Sequence, residues 1–271
     1  MSTAPRTYLF VPGDRPDRFD KALAAGADAV VLDLEDAVAP AAKARARDAV
    51  AERLHSASDA DHQRLVVRIN DEATPEFEAD LAMLARTHAA QVMLPKAERV
   101  ATVARVRAAC PGIAVIALIE TARGVLNAEA LAAADGVQRL AFGTIDYALD
   151  LGLSGDPAGF DPAANRLALA SRAAGLAAPV AGVTPEVADP APLRADLQRA
   201  RAHGYTAKLC IHPKQVALVH EALQPSAAEI DWARRVIAAA EGAAGAVQVD
   251  GRMVDKPVLQ RAQALLARAA R

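Results

Sequence analysis

Eight short runs of β-branched and aliphatic residues, each followed by an alanine-rich segment of helical periodicity, restrict what this chain can fold into more than any other feature. The runs are Thr7–Gly13, Ala29–Asp36, Arg64–Asn70, Gln91–Lys96, Ala114–Glu120, Arg139–Gly143, Pro179–Val183 and Thr206–Pro213. Their apolar stretches (VVLDL, LVVRI, VIALI) are nearly continuous rather than alternating, which is the pattern of parallel strands covered on both faces. Segments such as Asp17–Ala25 and Ala97–Ala109 space their apolar residues by three and four, as amphipathic helices do.

Eight βα repeats in 271 residues predict an α/β chain folded as a (β/α)8 barrel, a TIM barrel, over residues 1–225. Residues 226–271 are surplus to that barrel. Helices are expected near Ser226–Glu241 and Pro257–Ala270, with the Gly-bearing stretch Ala243–Asp255 between them extended or mobile. This C-terminal helical extension is expected to cap the barrel or to reach a neighbouring subunit.

Composition narrows the functions. Hydrophobic residues make up 53% but aromatics only 3%, so the core must be built from Ala, Val, Leu and Ile. A net charge of −2, with no basic–aromatic interleaving, gives nucleic-acid binding little electrostatic support. No stretch approaches the roughly 20 apolar residues that span a bilayer, and MSTAPRTYLFVPG does not read as a signal peptide. Cys110 and Cys210 have no metal-ligand spacing and read as small buried hydrophobes. A cytoplasmic protein without a membrane partner is expected.

In such a barrel the C-terminal strand ends carry the chemistry. Those ends hold Asp33, Glu35 and Asp36 on the second run, Arg68 on the third, Lys96 on the fourth and Glu120 on the fifth. Asp146 follows the sixth and His212 ends the eighth. A charge directly after a buried apolar run costs desolvation unless it is paired or ligates something. Glu120 and Asp146 fall at equivalent places on consecutive strands. Two oxygen ligands with open positions suit Mg²⁺, with Glu35 or Asp36 supporting them; the competing reading is that each acid caps its following helix. Arg68 is either charge balance among the acids or a bidentate donor to a substrate carboxylate or developing alkoxide. Lys96 either pairs with Glu98 or a barrel acid, or binds substrate.

Eight motifs in order, LFVPGDRPDRFDKA, VVLDLEDAV, VVRIN, VMLPKAE, IALIETARGV, AFGTIDYALDLG, KLCIHPKQV and GRMVDKPV, resemble the citrate lyase β-subunit-like branch of the HpcH/HpaI aldolase family. The chain is also similar to the malyl-CoA and citramalyl-CoA lyases of that superfamily, from about Arg6 to its C-terminus. The resemblance implies a homotrimer or hexamer with one Mg²⁺ per site, bound by Glu120 and Asp146. It further implies that Arg68 binds the substrate acid and that Glu35 and Asp36 hold metal-bound waters. Phe10, Arg15 and Lys21 match positions that contact coenzyme A, while Ile211 and His212 lie where the pantetheine arm passes. Asp255 matches an acid that enters the neighbouring subunit's site. Phe10 also reads as barrel core, Arg15 and Lys21 as solvated charges, and His212 as a structural histidine.

The activity so implied is Mg²⁺-dependent cleavage of a 3-hydroxyacyl thioester (citryl-, malyl- or citramalyl-CoA) to acetyl-CoA and a 2-oxo acid, or the reverse. Two alternatives stand beside it: an HpaI-type aldolase acting on a free 4-hydroxy-2-oxo acid, and a carrier-protein-dependent subunit of a citrate lyase complex. The first typically has His after the strand-two Glu, where this chain has Asp36 in LEDAV.

Overall fold

The computed structural model describes residues 4–87, 89–241 and 247–269, which form two compact units, Met1–His220 and Glu221–Arg271. The first is a closed barrel of eight strands: β1 (Thr7–Pro12), β2 (Ala29–Asp33), β3 (Leu65–Arg68), β4 (Gln91–Leu94), β5 (Ala114–Ile119), β6 (Val137–Phe142), β7 (Val180–Ala181) and β8 (Ala207–Cys210). Each strand pairs in parallel with its sequence neighbour, and β1 closes on β8. Helices intervene, as the periodicity predicts.

Alternate residues of all eight strands (Tyr8, Ala29 and Val31, Val66, Met93, Ile116 and Leu118, Ala141, Val180, Ala207 and Leu209) form one buried cluster. A cluster fed by every strand can only be the barrel interior, where small residues opposite large ones fill the space without many aromatics. Arg139, 3% exposed, closes the end near the chain's start. Its guanidinium donates to the carbonyls of Pro5 and Ala178, to Tyr8 Oη and to Thr206 Oγ1. That end is stabilised; the opposite one is left for chemistry.

Seven strands are shorter than the runs that carry them, and β6 starts two residues before its run. β7 stops at Ala181 because Gly182 packs directly on Thr144, so closely that a Cβ there would lie 2.8 Å from the Phe142 carbonyl oxygen. β8 stops at Cys210 because the Ile211 N–H turns to the Gln215 side chain at 2.9 Å instead of the ladder. On its outer face β8 carries Lys208, 2% exposed, whose ammonium donates to the Gly182 carbonyl.

The second unit holds helices Ala227–Ala240 and Lys256–Ala269 around a hairpin of β9 (Val247–Val249) and β10 (Arg252–Val254). Ser226 and Glu229 form a reciprocal capping box at the first helix. Asp250 and Gly251, with φ of 49° and 73°, make the tight hairpin turn. Ala233, Val236, Val254, Ala262 and Leu265 form this unit's own core. Within the expected extended or mobile stretch Ala243–Asp255, positions 243–246 lie outside the described residues, and the remainder is this hairpin and its exit.

Candidate active site

The mouth of the barrel is organised by register. Asp33 and Arg68 are cross-strand partners at the ends of β2 and β3. Arg68 grips Asp33 as a fork, Nε to Oδ1 at 2.7 Å and Nη2 to Oδ2 at 2.6 Å. Asp33 Oδ1 also accepts the Glu35 N–H at 2.9 Å, and Oδ2 the Ala37 N–H at 3.2 Å, which shapes the turn after β2. The remaining Arg68 nitrogen, Nη1, lies 2.7 Å from Glu35 Oε2 and 3.6 Å from Asp36 Oδ2. The guanidinium carbon sits 4.8 Å from the Phe10 ring centroid, a cation–π contact that supports its position from the barrel side. Burial works against the Arg68 charge, but the hydrogen bonds and charge of Asp33 outweigh it and hold its pKa above the ordinary arginine value.

Lys96 follows β4 in a left-handed conformation, φ 43°, unusual for a side chain with a Cβ. Its N–H donates to Glu120 Oε2 at 2.9 Å and its ammonium to Glu35 Oε1 at 3.0 Å. Lys96 therefore pairs with a barrel acid; Glu98 instead accepts from Thr121 Oγ1. Glu35, 5% exposed, sits between two cations, yet its Oε2 makes an ion pair without an aligned hydrogen bond and keeps an unmet acceptor. Burial raises the Glu35 carboxyl above its ordinary range despite the Arg68 charge.

Glu120 is 3% exposed, directly after β5. Burial, reinforced by the Glu35 charge, pushes its carboxyl up to about 8, with Asp146 adding to the rise. Asp146 lies in the first turn of helix Thr144–Leu151 rather than on a strand end, and is half-buried. It accepts no hydrogen bond among the described residues. Gly143, joining β6 to that helix, leaves room for Glu120: a Cβ there would overlap the Glu120 Cγ and stand 2.5 Å from its Oε1.

Five carboxyl groups (Asp33, Glu35, Asp36, Glu120 and Asp146) thus share the mouth with Arg68 and Lys96. The excess of carboxyl groups, the raised Glu120 carboxyl and the unmet acceptor of Glu35 fit a hard divalent cation held by Glu120 and Asp146. No group of three or more Asp, Glu, His or Cys able to hold a metal occurs among the described residues. Such a cation would complete its shell with water and substrate oxygens, as Mg²⁺ does.

Among the described residues, Arg15, Lys21, Ile211 and His212 make no hydrogen bond or ion pair with this cluster. Arg15 forks onto its neighbour Asp17 in solvent, and Lys21 is exposed on helix Phe19–Ala24. Ile211 is exposed; His212 is half-buried, with Nδ1 accepting the Lys214 N–H at 3.1 Å. Asp255, in the second unit, is exposed and caps helix Lys256–Ala269 by accepting the Val258 N–H at 3.2 Å. Sequence reasoning gave Asp33 no role, although its place level with Arg68 on the adjacent run was the available signal. The Asn70 clamp was missed altogether: Asp80, fully buried on helix Glu76–Thr87, accepts from both the backbone and side chain of Asn70.

Residues 6–213 match the HpcH/HpaI aldolase/citrate lyase family, and residues 169–271 match a carbon–carbon bond lyase of the TIM-barrel fold. The citrate lyase subunit beta-like protein of Mycobacterium tuberculosis is 42% identical, the match covering 97% of this chain and 94% of that protein. The (3S)-malyl-CoA thioesterase of Cereibacter sphaeroides is 36% identical, over 97% and 94%. A crystal structure of CitE from M. tuberculosis in complex with magnesium, acetoacetate and coenzyme A superposes with a TM-score of 0.90 at 39% identity, covering 99% of each chain. The chain is an enzyme of the lyase kind and belongs to the HpcH/HpaI aldolase/citrate lyase family.

Proposed function

We propose that the protein is a Mg²⁺-dependent lyase that cleaves a short 3-hydroxyacyl-CoA thioester of the citryl-, malyl- or citramalyl-CoA type, or runs the reverse condensation. The observation that carries this reading is the buried Glu120 carboxyl, pushed up to about 8 beside Asp146 and facing the Arg68–Glu35–Lys96 network. The magnesium and coenzyme A bound by the M. tuberculosis relative supply the ligand classes.

Glu120 and Asp146 would hold Mg²⁺, which supplies a Lewis-acid centre for the hydroxyl and carboxylate oxygens of the substrate. Arg68 would donate to the oxygen that passes from hydroxyl to ketone, and Asp33 keeps that guanidinium fixed. Glu35, with its unmet acceptor, and Asp36 would position water and receive the hydroxyl proton. Loss of that proton leaves the electron pair to form the ketone as the carbon–carbon bond breaks. The bond's electrons remain on the thioester fragment as an enolate. Asp255 of a neighbouring copy, in a trimer or hexamer, would return a proton to that carbon. Phe10, Arg15, Lys21, Ile211 and His212 would line the coenzyme A path, and the C-terminal unit would cap a barrel mouth.

The test is to incubate the protein with Mg²⁺ and each thioester, and to measure oxaloacetate, glyoxylate or pyruvate. EDTA and Glu120→Ala serve as controls. EDTA-insensitive release, or silence on every thioester with cleavage of a free hydroxy-oxo acid, overturns the reading. The thioesterase relatives favour one second reading, hydrolysis of the thioester itself. Release of free coenzyme A without a 2-oxo acid would identify it.

A further inference from the structure

We propose that Lys96 is a positioning residue, which sets both the Glu35 carboxylate against Arg68 and one oxygen of Glu120. Its two contacts are of different kinds. The backbone N–H reaches Glu120 Oε2 at 2.9 Å and the side chain reaches Glu35 Oε1 at 3.0 Å, both from a residue held at φ 43°. A non-glycine residue in this region is strained, and strain retained at a site mouth is held by the surrounding structure for a reason.

The sequence uses lysine where glycine would be relaxed. The side chain is the gain, and its partner shows why. Glu35 is nearly fully buried, and its other oxygen lies 2.7 Å from Arg68 Nη1. Without the ammonium, the Glu35 carboxylate keeps Arg68 as its ion-pair partner among the described residues, Lys43 donating to its backbone carbonyl, and turns both oxygens onto Arg68. Arg68 already spends Nε and Nη2 on Asp33 and holds Nη1 2.7 Å from one Glu35 oxygen, so a second Glu35 oxygen turned onto it would take the N–H groups that remain for a substrate oxygen. Lys96 thus keeps Arg68 available without touching the reacting atoms.

The activity arm of the test rests on the thioester-lyase reading; two other arms do not. Lys96→Met, Lys96→Arg and Lys96→Gly are compared with wild type for kcat and KM, for Mn²⁺ affinity by electron paramagnetic resonance, and for the metal-free Tm. Met and Gly should lower kcat about 30–100-fold with KM within about threefold, and Arg should recover at least about tenfold. Mn²⁺ affinity should stay within about threefold throughout, because the ammonium is no metal ligand. Lys96→Gly should melt about 2–4 °C above Lys96→Met, since it alone relieves the strained φ.

A kcat for Lys96→Met within threefold of wild type overturns the proposal. So does a rise confined to KM, which would make Lys96 a substrate contact, or Mn²⁺ binding weakened enough to explain the loss. If wild type cleaves no thioester yet binds Mn²⁺, the proposed function fails alone. Lys96 is then judged on the other arms, and a Gly variant no more stable than the Met variant overturns it.

Discussion

Arg68 and Asp33 meet as a parallel fork, 2.7 and 2.6 Å, between strand-end positions that are also register partners in the barrel. Asp33 is 1% exposed and Arg68 8%, so neither charge has water to fall back on. Removing one partner of a buried pair leaves the other uncompensated and typically costs about 3–5 kcal/mol. Asp33→Asn, which keeps the shape and removes the charge, should therefore cost about 3 kcal/mol in urea unfolding and lower kcat/KM about 10²-fold or more. An Asn variant as stable and as active as wild type would remove Asp33 from the machinery.

Gly143 has an ordinary backbone, φ −87°, so its value lies in space alone. A methyl group there would press on Glu120 at its Cγ, Oε1 and Cδ, the last at 2.9 Å. Gly143→Ala should weaken Mg²⁺ binding by about tenfold or more, because a displaced carboxylate cannot share the ion with Asp146. Tm should fall far less than for a core truncation. Calorimetric titration checks this: unchanged affinity would mean that Glu120 is not the ligand, or that it has a second usable position.

The barrel was readable from the chain because continuous apolar runs and helical periodicity are local signals, and seven of the eight strands lie within the runs that carry them, β6 starting two residues earlier at Val137. The acids at the mouth were readable for the same reason: charge after a buried run is conspicuous. What the sequence did not disclose depends on geometry between strands. Asp33 and Arg68 are 35 residues apart and become partners only through the β2–β3 register. The left-handed Lys96 carries no sequence mark, since nothing in LPKAE demands it. Asp146, expected after the sixth run, lies in the first turn of a helix because β6 stops at Phe142 and Gly143 turns the chain.

The raised Glu120 carboxyl makes cation binding proton-linked. With its pKa at about 8 in the metal-free protein, Glu120 is mostly protonated at pH 7, and an incoming divalent ion must displace that proton. Apparent Mg²⁺ affinity should rise about tenfold per pH unit toward pH 8 and then level. Titrations at pH 7 in buffers of different ionisation enthalpy should report about one proton released. The same shift has a stability sign. Folded Glu120 binds its proton more tightly than in the unfolded chain, so metal-free stability should fall as pH rises from about 5 to 8. Glu120→Gln should flatten that slope and abolish the proton release; a slope unchanged in the variant would place the proton elsewhere.

Lys208 provides a test of the scaffold independent of the site. Burial lowers its ammonium to about 8, against the opposing pull of the Asp196 charge, and it donates to the Gly182 carbonyl. A lysine whose folded pKa lies below its unfolded value penalises the folded state wherever both forms are protonated, here below about pH 8. Between about 8 and 10.5 the unfolded chain binds more protons, so this group's contribution should make stability rise with pH. Lys208→Met, similar in length and without charge, should stabilise the protein at pH 7 by about 1–3 kcal/mol, as replacements of buried charges by apolar residues often do. The wild-type-minus-variant difference should shrink across that window. A Met variant less stable than wild type at pH 7, with the same slope above pH 8, would mean that the Lys208–Gly182 hydrogen bond outweighs the cost of burying the charge.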